Sequence, residues 1–342
     1  MKWLFVVTVG LYAGYSLFRI VSHTAPDFSV YYGVAKNALT GKGIYGDPHL
    51  FTGYGYPPYS VLPYLPLALL PYTVSQSIWV IGSFIALIVS VFLSFKLYYP
   101  KASLQTKAVA CAIAFLAFPS RFTLGMGQSN LIVLFVLLSS LANRSGFLLG
   151  LAWILKPQLM ILVPLFVWKR EWKMLTFAGV IVSAAIVLTG IFFGWQPYER
   201  YFSRELPILM EFRDREIYYN QGIEAFVSRL GAKWLSTGLK LIAVVFAFLS
   251  LRKQTLINAL PMTLSLLLLI LPLSWQHHFV LLIPAMIFLW QYQRSVLFWI
   301  ALVLISINIK EPSLYGPMVL SHVFIGNVLV FWLLARVHLS RL

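Results

Sequence analysis

Apolar runs of about twenty residues recur along almost the whole of this 342-residue chain, and nothing else in the sequence limits its fold as strongly. A helix needs about 20 apolar residues to cross a bilayer, and only helices or closed barrels satisfy their backbone polar groups there. Runs suited to such helices lie at about 3–20, 74–95, 104–119, 127–142, 146–168, 174–194, 234–251, 256–273, 277–291, 295–309 and 316–335. They predict an all-α fold, a polytopic transmembrane helical bundle of about 10–12 helices. Only 11% of the residues are charged and 60% are hydrophobic, against about 25% charged in soluble domains. A soluble globular enzyme, a disordered tail and a disulfide scaffold are excluded on that ground, and the single cysteine, Cys111, lies inside an apolar run. The first run follows Lys2 as a signal peptide would, but no small-residue cleavage site comes after it, so a retained helix is expected. No internal repeat or linker divides the chain. One integral-membrane domain, 1–342, is expected, with long outer loops at about 21–73 and 195–233.

The net charge is +16. On a soluble chain that excess suggests nucleic acid. Here the basic residues fall between apolar runs, where they act as topology signals and contacts to anionic membrane lipids, and no nucleic-acid partner is expected. With a cytoplasmic N-terminus, Lys2, Lys96, Lys101, Lys107, Arg144, Lys169, Arg170, Lys173, Arg252, Lys253, Arg294, Arg336 and Arg341 all fall inside, 13 of the 26 basic residues. Short outer connections hold only Arg121 and Lys310, and of the ten acids only Glu171 falls inside. The positive-inside rule then predicts a multi-pass protein of the cell membrane with both termini cytoplasmic.

One run conflicts with a simple crossing. Residues 146–168 are flanked by Arg144 and by Trp168-Lys169-Arg170, both on the inner side in this layout. A break at Lys156-Pro157 resolves the conflict, because proline removes a helix hydrogen bond and disfavours helical geometry in the residue before it. Two half-helices then enter and return to the same side. Non-helical backbone at that depth is tolerated only within protein or against a wet cavity.

Polar groups that are costly near a membrane collect on the outer face in this layout. Asp27 follows the first run, and the loop after it is rich in aromatics: Tyr31, Tyr32, Tyr45, Tyr54, Tyr56 and Tyr59. Most of these tyrosines are expected in an interfacial aromatic belt. Residues 28–40 have amphipathic helical spacing and end at Gly41, Gly43 and Gly46. Arg121, Gln128 and Asn130, then Lys156, Asn220-Gln221 and His277-His278 share the same side. Ionisable residues inside membranes are functional hypotheses by default. Adjacent histidines point about 100° apart on a helix and do not chelate one ion as an i, i+4 pair does. HExxH, cysteine clusters, GxSxG and phosphate-cradling glycine loops are all missing, so no metal or cofactor is expected. One carboxylate beside cations and amides suits proton removal from a hydroxyl while a phosphate is held.

These residues fall in an ordered set of motifs. Asp27-Phe28-x-x-Tyr31-Tyr32, Ile44-Tyr45, Tyr56-Pro57-Pro58 and Leu65-Pro66-Leu67-Ala68-Leu69-Leu70-Pro71 come first. Gly127-Gln128-Ser129-Asn130, Gly150-Leu151-Ala152-x-x-x-Lys156-Pro157, Asn220-Gln221-Gly222 and Ser274-Trp275-x-His277-His278 follow. In this order, over about residues 20–285, the chain resembles glycosyltransferase family 87, the polyprenyl-phosphate-mannose-dependent α-mannosyltransferase-like proteins of the GT-C superfamily. It departs at Gly222, where the family often has serine.

The resemblance implies a membrane glycosyltransferase with an active site facing away from the cytoplasm and inversion at the anomeric carbon. It implies Asp27 as the catalytic acid residue of the first outer loop. The implied donor is a polyprenyl-phosphate sugar, with mannose as the sugar, and the acceptor is a lipid or glycan. Lys156 and Arg121 are the expected donor-phosphate ligands, and His277 and His278 either bond the phosphate or orient the acceptor hydroxyl. Gln128, Asn130, Asn220 and Gln221 either hold sugar hydroxyls or cap half-helices, and Tyr31 and Tyr56 are placed with sugar or acceptor. The competing reading is a transporter or flippase, in which broken helices and buried charges also occur; such folds show related breaks in two halves, and only one Lys-Pro break is present here.

Overall fold

A computed structural model describes residues 2–47, 50, 53–211 and 215–339. Arg341 lies outside the described residues. Every expected span is helical, and among the described residues no strand forms. The protein is an all-α polytopic membrane protein. Among the described residues five helices are long and apolar enough to cross a membrane: Lys2–Val21, Tyr72–Tyr98, Trp172–Phe193, Lys233–Leu251 and His322–Leu339. Shorter apolar helices, Asn130–Ala142, Gly146–Leu155, Pro157–Trp168, Leu256–Ile270 and Val296–Ser306, cover other expected spans.

The run expected at 104–119 is longer than one straight helix. Leu104–Leu116 is followed by Phe118–Met126 at a bend of 63°. Ala117 at the joint has ψ 134, outside the helical region, and Pro119, two residues on, cannot donate to a continuing ladder. Lys156 marks a second break, at φ −146 and ψ 87. Pro157 forces that extended geometry on the residue before it, so the chain passes from Gly146–Leu155 into a 3₁₀ turn, Pro157–Leu162, and then the helix Val163–Trp168. The stretch after the first span begins with the helix Pro26–Leu39 and leaves it through Gly41, Gly43 and Gly46, whose φ values of 73, 86 and 90 place them in the left-handed region.

The chain forms two compact units. One consists of Val7–Val89 and Thr123–Phe212. Its core is largely apolar, with Phe28, Val34, Leu131, Leu134, Leu149 and Phe166 fully buried. Here Gly146 and Gly150, four apart, press the Gly146–Leu155 helix onto Trp172–Phe193. A Cβ on Gly146 would lie 2.5 Å from the Met174 carbonyl oxygen, and one on Gly150 would lie 3.0 Å from that of Ala178. Small residues at this spacing let helix backbones approach closely. Because 146 faces 174 and 150 faces 178, the two helices run in the same direction. The segment between them therefore turns back to the end from which it started, where Arg144 and Glu171 form an ion pair at 3.2 Å.

The other unit consists of Met1–Val6, Ser90–Phe122 and Arg213–Leu342. Val296–Ser306 packs on His322–Leu339 at Gly326, where a Cβ would meet Ala301's carbonyl oxygen at 3.1 Å. Ser265 on the Leu256–Ile270 helix donates to Asn327 Oδ1 at 2.7 Å, and Asn327 Nδ2 returns a bond to the Ser265 carbonyl at 3.1 Å. Such interhelical bonds hold apolar helices in register.

Candidate functional site

Asp27 sits in the first turn of the Pro26–Leu39 helix, with Pro26 ahead of it in a position that needs no amide hydrogen bond. The entry to that helix is tied down by Gln76. Its Oε1 accepts from the Ala25 amide at 2.8 Å and its Nε2 donates to the His23 carbonyl at 2.7 Å. Asp27 is half-buried, and Gln128 Nε2 donates to its Oδ2 at 2.7 Å. Gln128 Oε1 in turn accepts from the Tyr31 hydroxyl at 2.8 Å, so both ends of this amide are committed to positioning the acid. Burial pushes the Asp27 carboxyl above the ordinary carboxylate range, opposed by the Gln128 bond and by the positive charge of Lys156.

Lys156 is buried at the helix break and its ammonium donates to the side-chain oxygen of Asn130. The turn Gly127-Gln128-Ser129-Asn130 therefore carries both anchors, one for the acid and one for the cation. Gly127 permits this geometry. It has φ 69, and a Cβ there would lie 2.5 Å from Phe28 Cβ and 3.0 Å from Ala25 Cβ. Trp79 Nε1 donates to the Gly127 carbonyl at 2.8 Å while its ring stacks on Phe28 at 5.7 Å. Gln76 and Trp79 were not among the residues expected from sequence. The only signal they give is a polar amide three residues before a tryptophan inside an apolar run.

The tyrosines do not form an exposed belt throughout. Tyr31, Tyr54 and Tyr59 are buried in protein. Tyr31 stacks on Tyr64 at 4.7 Å and meets Tyr56 at 6.1 Å. The helix Pro26–Leu39 lies against the 3₁₀ segment Pro58–Tyr64, and that packing places these rings in the interior.

Asn220, Gln221, His277, His278 and Arg121 belong to the other unit. Asn220 Nδ2 donates to the carbonyls of Arg215 and Pro272, and its Oδ1 accepts from the Ser274 amide. Gln221 Nε2 donates to Tyr218 and Leu320 carbonyls, and its Oε1 accepts from the Phe324 amide. Both amides thus pin main chain. They secure Ser274-Trp275-Gln276, whose backbone pairs with 219–221. The His277 and His278 rings are buried, 4.6 Å apart and close to perpendicular, with His277 edge-on to Phe122 at 5.3 Å. Among the described residues, Gln276, fully buried beside them, has no hydrogen-bond partner at either amide atom. That unmet polar group makes it a candidate site residue the sequence did not single out. Arg121 is half-buried and its Nε donates to the Leu116 carbonyl at 3.1 Å, across the bend. Glu224, the acid nearest in sequence to Asn220-Gln221, is paired with Arg215 at 2.5 Å and Lys240 at 2.7 Å. Burial raises its pKa, but the two cations outweigh that and hold it below the ordinary value.

Asp27 is tethered and half-buried and feels the positive charge of the buried Lys156, a combination suited to accepting a proton and stabilising an anion. The profile of glycosyltransferase family 87 matches residues 54–272, a stretch that contains Gln128, Asn130, Lys156, Asn220 and Gln221. The chain is 28% identical to a polyprenol-phosphate-mannose-dependent alpha-(1-2)-phosphatidylinositol pentamannoside mannosyltransferase of Mycolicibacterium smegmatis, over 84% of this chain and 78% of the relative. It is 29% identical to an alpha-(1->3)-arabinofuranosyltransferase of Mycobacterium tuberculosis, over 58% of this chain and 47% of that relative. No solved structure matches the chain. With a buried cation and a tethered acid on a helical membrane scaffold, and with well over half its length matching the profile, the chain belongs to glycosyltransferase family 87.

Proposed function

We propose that this membrane glycosyltransferase moves mannose from a polyprenyl-phosphate donor to a lipid or glycan acceptor, at a site on the extracytoplasmic side, with inversion. Asp27 is the general base. As the acceptor oxygen attacks the anomeric carbon, its proton passes to the Asp27 carboxylate, the bond from that carbon to the phosphate oxygen breaks, and the electron pair leaves with the phosphate. Lys156 stabilises the charge that builds on the phosphate. Tyr31, Tyr56, Gln128 and Asn130 shape the acceptor and sugar region. The carrying observation is the Asp27–Gln128–Tyr31 chain, which holds a half-buried carboxylate in one orientation. The name of the M. smegmatis relative supports mannose and a polyprenol phosphate as donor. The distribution of basic residues supports the orientation of the chain in the cell membrane.

The test is transfer by the purified protein from polyprenyl-phosphate mannose, compared with GDP-mannose, in the presence of EDTA. Transfer from the polyprenyl donor is expected, and Asp27→Asn should lower turnover by about 10² or more without loss of expression. Transfer from GDP-mannose alone, or complete loss in EDTA, refutes the proposal. Transfer from polyprenyl-phosphate arabinose alone would correct the sugar, in line with the arabinofuranosyltransferase relative.

A further inference from the structure

A polar cavity lies in the unit that holds Asp27. It is a cleft of about 560 Å³ between the glycine-rich loop 41–45 and residues 196–204. Lys42, Arg200 and Arg204 line it, against one acid, Glu199. Arg200 is held in place. Its Nε donates to Glu205 at 3.1 Å, and its guanidinium lies so close to Gly46 that a Cβ there would fall 2.5 Å from Nη2. Gly46 has φ 90, so the loop accepts this contact without a side chain in the way. Lys42 and Arg204 are exposed, and among the described residues neither is in an ion pair. The cleft thus presents one oriented guanidinium and two uncommitted cations, a set that matches the several oxygens of a phosphate.

The cleft is also joined to Asp27 by a row of tyrosines. Tyr45 lines it and donates to the Tyr56 carbonyl at 2.7 Å. From Tyr45 the rings of Tyr54, Tyr56 and Tyr31 follow at centroid spacings of 6.0, 5.7 and 6.1 Å. Tyr31 then reaches Asp27 through Gln128. A ligand held in the cleft therefore rests on the framework that positions the acid.

We propose that this cleft is a subsite for a phosphate or phosphodiester carried by the acceptor, separate from the donor phosphate held at Lys156. Calling the ligand the acceptor rests on the transferase function proposed above; the binding itself does not. A phospholipid head group and a soluble sugar phosphate both present the required group.

The test is a binding titration of the full chain, purified in an uncharged detergent, with dioctanoyl phosphatidylinositol and with inositol monophosphate, and with dioctanoyl phosphatidylcholine as the zwitterionic control. Saturable binding of an anionic probe is expected, weakened by added salt. The double variant Lys42→Gln/Arg204→Gln should bind about tenfold more weakly, the sum of two exposed charge contacts. Glu199→Gln should bind more tightly. Binding of phosphatidylinositol alone assigns the cleft to a lipid head group, and binding of both probes shows that a sugar phosphate suffices. Absence of saturable binding, equal binding of the phosphatidylcholine control, or unchanged affinity in both the double variant and Glu199→Gln overturns the proposal. Asp27→Asn should keep full binding while losing turnover. Intact binding in the wild-type protein, with no sugar transferred from any polyprenyl-phosphate donor, would end the transferase proposal and leave the anion subsite standing.

Discussion

Gly127→Ala isolates the packing that brings the acid and the Gly127–Asn130 turn together. In an unstrained position, exchanging glycine for alanine stabilises a protein by about 0.4–1 kcal/mol, because it restricts the unfolded chain. Gly127 is not such a position. Its φ of 69 costs an L-residue about 1–2 kcal/mol. The new methyl would also sit 2.5 Å from Phe28 Cβ and 3.0 Å from Ala25 Cβ, the first about 1 Å inside the ~3.5 Å separation of carbon atoms in contact. Both neighbours are main-chain-anchored carbons that no rotamer change can move, and overpacking of this kind costs about 1–3 kcal/mol. The net expectation is a loss of about 2–4 kcal/mol. Relief requires the start of the Pro26–Leu39 helix to shift by about 1 Å. A misplacement of that size at Asp27 should lower turnover by about 10². Thermal inactivation in detergent and single-turnover transfer measure the two effects. Gly82→Ala is the control: it lies in the Tyr72–Tyr98 helix with nothing within 4 Å of the added methyl, and alanine there should be neutral or stabilising by up to ~1 kcal/mol. If Gly127→Ala matches wild type in both assays, the close approach of this turn to Phe28 does not position the acid.

Three further outcomes are expected. Burial raises the Asp27 pKa and the Gln128 bond lowers it, so Gln128→Leu should raise it further; since the base works ionised, the acid limb of kcat/KM should move to higher pH, and a limb that stays or falls contradicts the assignment. Gly150→Val should destabilise the protein by about 1–3 kcal/mol through contact with Ala178 and Ile181, while Arg144→Ala, which removes a partner 78% exposed, should cost no more than ~1 kcal/mol; comparable thermal-inactivation shifts for the two would count against glycine packing as the main bond between these helices. After Cys111→Ser, single cysteines at Lys169, Arg252 or Arg294 should be shielded from an impermeant thiol reagent in intact cells, and cysteines at Asp47 or Glu211 should react; equal labelling at 169 and 47 refutes the orientation.

What the sequence made legible divides by range. The break at Lys156-Pro157 was readable because proline acts on its own neighbour, and the structure places it at that residue. The helical runs were readable for the same reason. The bend at Ala117 was not, since Pro119 near the end of an apolar run is equally compatible with a simple helix terminus. At the site, Asp27 and Gln128 were both visible as polar residues near the ends of apolar runs. That they bond each other depends on contact across a separation of 101 residues. The burial of Tyr31 depends on which face of an amphipathic helix meets the Pro58–Tyr64 segment, and aromatic spacing does not distinguish that face from a membrane-facing one. Asn220 and Gln221 looked equally suited to sugar hydroxyls and to main-chain groups. Only the pairing of 219–221 with 274–276 decides that their amides serve the chain itself.

The returning segment between Arg144 and Glu171 has a consequence for how the protein is made. Ribosomal synthesis releases residues in order from the N-terminus. Asn130, which receives the Lys156 ammonium, is therefore present before the lysine emerges. The charge, which is costly to leave in lipid, meets its acceptor on arrival. The Trp172–Phe193 helix, which fits against Gly146 and Gly150, arrives only afterwards. The nascent hairpin is thus held first by one polar contact and closed later by backbone packing. A chain truncated before residue 172 should keep the lysine's partner and lack the surface that fixes the hairpin's direction.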